Sequence, residues 1–175
     1  GMVSLLYELY TAGIIDQTGV LTGKRHITEV EGEKAFSIDC DCEDALFITQ
    51  VEIQNFMRSK AAMFTLLLVL TRSVGISFRD IERVFVSGAL GTGIDARKAA
   101  GIGMMPAWPR STVKPMGNTS LAGCSMLLRD AGLAGTADWL VDKITYKHMH
   151  DDPEFMKEFR GAVFIPHTNP ELLKV

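Results

Sequence analysis

Apolar residues recur at helical spacing from Met2 to Ala12 (MVSLLYELYTA), and the pattern stops at Gly13, a residue type that readily ends helices. The helix so predicted has no cap residue and no strand ahead of it. Gly1 before Met2 reads as the remnant of a cleaved tag, leaving 2–175 as a single domain that either starts raggedly or was cut out of something longer. Between residues 14 and 48 the pattern turns to short strands. Gly19 and Gly23 supply turn chemistry in IIDQTGVLTGK, and KAFSIDC and ALFIT are strand-like runs around the acidic stretch Asp39 to Asp44. Thr49-Gln50-Val51-Glu52 is then a capping box, in which Thr49 caps the N–H of Glu52 and Glu52 returns to that of Thr49. The helix it opens is predicted to reach about Val74, about 36 Å at the usual rise. From Ala61 to Thr71 (AAMFTLLLVLT) it is apolar nearly all round, which predicts a second half buried between layers.

Gly75 closes the long helix, and Ser77 can cap a short one through Glu82. Arg83 to Ser87 reads as a bulky strand running directly into Gly88-Ala89-Leu90-Gly91-Thr92-Gly93, after which Asp95 can cap a helix to about Gly101. Residues 112–116 (TVKPM) predict a second strand, with Pro115 confining it to an edge or a terminus. Asn118 or Thr119 caps a helix through Asp130. Helices follow at about 136–147 and 152–160, and Ala162 to Ile165 predicts a last strand before Pro166. The order is a β-hairpin, a long helix, then β-α-β-α with terminal helices: an α/β layered domain.

Composition narrows the function classes. The 175 residues carry 18 Lys and Arg against 21 Asp and Glu, a net charge of −3, which argues against general binding to nucleic acid or an anionic membrane. Three cysteines fit a reduced, cytoplasmic setting better than a disulfide framework. The most apolar run is far short of the roughly 20 residues needed to cross a bilayer.

Two junctions could carry chemistry. In VFVSGALGTGID a strand ends in glycines and a helix follows, so the backbone can approach a ligand and the helix N-terminus favours an anion. The spacing is neither the Walker A pattern nor the dinucleotide fingerprint, and taken alone a tight βα turn accounts for it. Pro115-Met116-Gly117-Asn118-Thr119 repeats the scheme, and two such junctions would meet at the end of the sheet where α/β folds bind ligands. Cys40 and Cys42 could meet one ion from a strand, but no second cysteine pair follows and the surrounding acids raise thiol pKa values, so a solvated acidic turn is favoured. His148 and His150, two apart, do not share a helix face and fit a helix end next to Asp152-Pro153. No metal site and no catalytic residue is expected within the chain. Lys60 is the one cation where the long helix turns from polar to buried; either its stem snorkels with the ammonium in solvent, or it touches a bound ribose or phosphate.

Taken in order, FITQVEIQNFMRSKAAMFTLLLVLTRSVGISFRDIERVFVSGALGTGIDARKAAGIGMMP, MGNTSLAGCSMLL and FMKEFRGAVFIPHTNPEL resemble the C-terminal part of the reductive activators of corrinoid-dependent methyltransferases. The resemblance implies the second lobe of an actin-like or ribonuclease H-like (ASKHA) ATPase domain, with a mixed sheet and helices packed on it. It implies ATP with Mg²⁺ between two lobes, an N-terminal [2Fe–2S] domain outside this chain, and a corrinoid protein as partner, on which Co(II) is reduced to Co(I). By resemblance Gly88, Ala89, Leu90 and Gly91 form the adenosine motif, Lys60 lies on the helix flanking the adenosine, and Gly117 and Asn118 belong to the connecting motif near the hinge. Where the family's usual run is Gly-Gly-Phe-Gly, this chain has Gly88-Ala89-Leu90-Gly91; positive φ at Ala89 would cost about 1 kcal/mol or more. That departure favours an alternative, a docking or dimerisation module with a degenerate nucleotide site, which could form a homodimer.

Overall fold

The computed structural model describes residues 1–23, 26–38, 46–88, 93–109 and 112–175. The expected N-terminal helix, α1 (Met2–Thr11), buries Val3, Leu6 and Leu9 along one stripe. Three strands follow: β1 (Ile27–Val30), β2 (Glu33–Ile38) and β3 (Leu46–Thr49). They pair antiparallel in the order β1-β2-β3, with Ile27 opposite Phe36 and Phe36 opposite Ile48. The β1–β2 turn places Glu31 at φ 52 and Gly32 at φ 82, the two left-handed residues that a tight hairpin needs.

The capping box forms as read. Thr49 Oγ1 accepts from Glu52 N at 3.2 Å, and Glu52 Oε2 accepts from Thr49 N at 2.8 Å, opening α2 (Gln50–Ser73). Ile53, Met57, Ala61, Phe64 and Leu68 run down its inner face into a core shared with α1, Met104, Met105 and Trp108. The second half is not buried all round, however. Leu66, Leu70 and Val74, each four residues apart, lie on an exposed stripe, because α2 packs its opposite face on the core and on α6 (Pro153–Ala162). Sequence hydrophobicity shows that a face could be buried, not that a neighbour covers it.

The predicted β-α-β segment is present. β4 (Val84–Ser87) pairs in parallel with β5 (Val113–Gly117), and α3 (Ala96–Gly101), capped by Asp95, lies in the connection. Pro115 is tolerated because each strand of a two-stranded ladder is an edge. The antiparallel and parallel pairings of the expected mixed sheet are thus divided between two ladders. Asn118 caps α4 (Thr119–Arg129), and a 3₁₀ turn leads to α5 (Ala134–Lys143).

Two predicted elements are corrected. The helix expected to reach residue 147 ends at Lys143, and a 3₁₀ turn (Met149–Asp151) precedes α6, which Asp152 caps with Pro153 in its first turn. The predicted strand Ala162 to Ile165 is not a strand. Ala162 still belongs to α6, and Ile165 N donates to Gln17 O at 2.8 Å instead of joining a ladder. Its β-branched, aromatic composition serves burial at the helix end; Ala162 and Ile165 are core residues.

Candidate functional site

The two glycine junctions identified in the sequence meet. The parallel register sets Ser87 opposite Gly117, with an irregularity between Val86 and Ser87, and Gly88 N donates to Gly117 O at 2.7 Å. Both glycines are left-handed, Gly88 at φ 78 and Gly117 at φ 65, so each makes a turn that a side chain would strain. A Cβ built on either would find nothing within 4 Å among the described residues. Among the described residues, no side chain stands against the backbone at Gly88 or Gly117. Gly88 and Gly117 are compatible with the close approach of a nucleoside to the backbone. Ala89, Leu90 and Gly91, the remainder of the expected adenosine motif, lie outside the described residues.

Asn118 sits directly after this junction. Its Oδ1 accepts from Leu121 N at 3.0 Å, so its oxygen is taken up in capping α4 and fixes where that helix starts. On the far side of the β4 glycine run, Asp95 caps α3 through Arg97 N (2.9 Å) and Lys98 N (3.2 Å). Those hydrogen bonds, the one from Lys98 first, hold its carboxyl below the usual aspartate range.

Lys60 departs from both readings of the sequence. It is fully buried, so it does not snorkel, and its ammonium offers no face to a ribose or phosphate. Its Nζ instead donates to Phe164 O and, at 3.1 Å, to Pro166 O. The physical reason is local. Position 60 is on the core-facing side of α2, next to Ala61, and a buried amine must find acceptors, which the irregular backbone after α6 supplies. Burial pushes its pKa down to about 7. The outward-facing cation of this stretch is Arg58, whose Nη1 donates to Asn55 Oδ1 at 3.3 Å.

Sequence reading missed the flank of the glycine junction. Strand alternation places Phe85, Lys114 and Met116 on one face of the β4–β5 ladder, and all three are exposed. Parallel strands usually have both faces covered, so no pattern in the sequence marks a bare one. Cys40 and Cys42 lie outside the described residues. Among those described, no three His, Cys, Asp or Glu side chains gather as a metal site, and no helix is long and apolar enough to cross a membrane.

A parallel strand pair ending in opposed glycines, with a capped helix leaving the second strand and a long helix behind an antiparallel hairpin, defines an ASKHA-type α/β domain. The chain belongs to the family described as the C-terminal domain of RACo, the ASKHA domain, whose model matches residues 1–175. A solved structure of a reductive activator for a corrinoid, iron-sulfur protein superposes with a TM-score of 0.90 at 31% identity, covering 98% of this chain and 28% of that one. The corrinoid activation enzyme RamQ of Eubacterium limosum is 28% identical over 114 residues, 65% of this chain. A Methanosarcina barkeri reductase of the Co(II) methylated-amine-specific corrinoid protein is 28% identical over 102 residues, 58% of this chain. In both curated relatives the match spans 19% of their length.

Proposed function

We propose that this chain is the adenosine-binding half of a corrinoid reductive activator, acting in the cytoplasm on a corrinoid protein, within a longer polypeptide that carries the other lobe and a [2Fe–2S] domain. The observation that carries the reading is the Gly88–Gly117 hydrogen bond between two left-handed glycines, with no atom of the described residues within 4 Å of a Cβ built on either. In this reading Gly88 and Gly117 admit the nucleoside to the backbone. Asn118 holds the start of α4, so the connecting helix keeps a fixed relation to the pocket. ATP with Mg²⁺, bound between the lobes, would supply the free energy that lets one electron pass from the iron–sulfur cluster to Co(II), giving Co(I). Phosphate and Mg²⁺ positioning is where ATPase catalysis arises, and it is assigned to the other lobe. This chain alone is expected to hydrolyse no ATP.

Calorimetric titration of the two-lobed protein with ATP and ADP tests the assignment. Binding should weaken at least about tenfold, or about 1.4 kcal/mol, in Gly88→Val, since a β-branched residue resists positive φ. No binding by the unaltered protein, or equal binding by the variant, would sink it.

A second reading has its own support. α4 and α5 have no buried residue, and Leu128 is 89% exposed, with Trp139, Ile144 and Tyr146 also largely open. Such an apolar surface marks an interaction site, consistent with a docking or dimerisation module. A complex between this chain alone and a corrinoid protein, formed equally well without nucleotide, would favour that module over the nucleotide reading.

A further inference from the structure

The chain after α6 has no regular secondary structure until a final 3₁₀ turn (Pro170–Leu173), yet it is pinned to three distant parts of the fold. Ile165 N donates to Gln17 O at 2.8 Å, Lys60 Nζ donates to Phe164 O and Pro166 O, and Ala107 N donates to Leu173 O at 2.9 Å. Gly103, at φ 73, lies so close beneath this segment that a Cβ there would overlap the Pro166 carbonyl oxygen. Locally the segment is tied to the end of α6 by Val163 N donating to Phe159 O at 3.1 Å, Phe164 N to Gly161 O at 3.4 Å and Thr168 N to Gly161 O at 3.1 Å.

Ile165 and Leu173 add core packing to this grip, and among the described residues the one ionisable side chain that bonds the segment's backbone from outside it is Lys60. A neutral amine has two N–H groups and an ammonium three, so both carbonyls are served in either state, and the charge adds a desolvation cost. The neighbouring group makes that cost worse. His167 is nearly buried and its ring packs on Phe64 with centroids 5.2 Å apart. Its Nδ1 accepts from Asn169 N at 2.9 Å, which leaves the neutral ring's proton on Nε2, a buried atom with no partner among the described residues. Burial, then the Lys60 charge, push its pKa below the ordinary histidine value, while Glu158 on α6 pulls the other way. Glu158 itself is bonded to Arg72 of α2 at 2.9 Å. Of the other groups nearby, Asp16 is turned into its own loop toward Thr18 and Val20, the segment 102–108 holds no titratable residue, and Glu171 and Lys174 pair with each other in solvent.

We propose that residues 163–173 form a strap that opens as a unit while the rest of the fold stays closed, and that opening takes up a proton at Lys60, so that alkali tightens the strap and acid loosens it. The sign follows from where the proton binds. Closed, Lys60 ionises near 7; released into water, it ionises near 10.5. Between those values the open form holds one more proton, so the opening constant falls about tenfold per pH unit as pH rises. Below the ordinary histidine range His167 adds a second uptake in the same direction.

Amide hydrogen exchange of the whole chain, corrected for the intrinsic pH dependence of exchange and read between pH 7 and 9, tests this. The amides of Ile165 and Thr168 should exchange through an opening easier than that of the core amides of Phe64 and Leu68, with the opening constant falling close to tenfold per unit. Lys60→Met, which keeps the buried stem without the amine, should abolish the slope at the strap amides. Strap amides that exchange only together with Phe64 and Leu68, or show no slope, would overturn the proposal in the unaltered protein alone. A slope unchanged in Lys60→Met would overturn the assignment to Lys60.

Discussion

Two glycines with the same left-handed backbone are required here for different reasons, and substitution separates them. Gly88 has no neighbour among the described residues within 4 Å of a built Cβ, so Gly88→Ala should cost only the conformational strain, about 1–2 kcal/mol. At Gly103 the same strain is joined by overlap with the Pro166 carbonyl, and Gly103→Ala should cost about 3 kcal/mol or more. Urea unfolding midpoints at equal m-values would show the difference; equal costs would contradict the open cradle at Gly88. The sequence singled out Gly88 at its strand-to-helix junction but gave no sign that Gly103 was required. Whether a glycine answers to φ or to a neighbour depends on a segment, here Pro166, far away along the chain. Lys60 was hidden for the same reason. Its charge was visible, but its partners are backbone carbonyls more than a hundred positions away, and any residue type carries a carbonyl.

At the level of elements, what could be read locally was read well. The Thr49–Glu52 capping box, the Asn118 and Asp95 caps and the Asp152-Pro153 helix start are each signals contained within a few residues, and each fixes a helix N-terminus where expected. Elements whose state depends on partners were not. AVFI at residues 162–165 has strand composition, but no strand lies beside it, and its backbone bonds Gln17 and Lys60. The long helix was read as buried because it is apolar, whereas Leu66 and Leu70 are each at least 40% exposed. α4 and α5 are the extreme case. The cap at Asn118 or Thr119 predicted the first and a helix was expected at about 136–147, yet the two contribute nothing to the core, so little packing free energy holds them in place. Limited trypsin digestion should cut after Arg129 and Lys143 well before Lys60, which is buried within α2. Resistance at Arg129 and Lys143 matching that of α2 would show that this helical pair is held as firmly as the core.

On the scale of the whole molecule, the bare face of β4–β5 and the uncovered α4–α5 pair adjoin one another through Asn118, next to the opposed glycines. The aligned part of this chain covers 19% of each curated relative, and an incomplete surface beside the candidate nucleotide cradle is what half of a two-lobed site would present. Neither feature could be seen in composition: a net charge of −3 and 47% hydrophobic residues describe an ordinary compact domain. The account's central claim is that this cradle serves nucleotide-driven corrinoid reduction. The direct measurement is the visible absorbance of a Co(II) corrinoid protein mixed with the longer polypeptide that carries this domain, reduced at the iron–sulfur cluster proposed for it. Conversion to Co(I) should require ATP and should be lost in Gly88→Val; conversion that proceeds equally without ATP, or equally with the variant, would contradict the account.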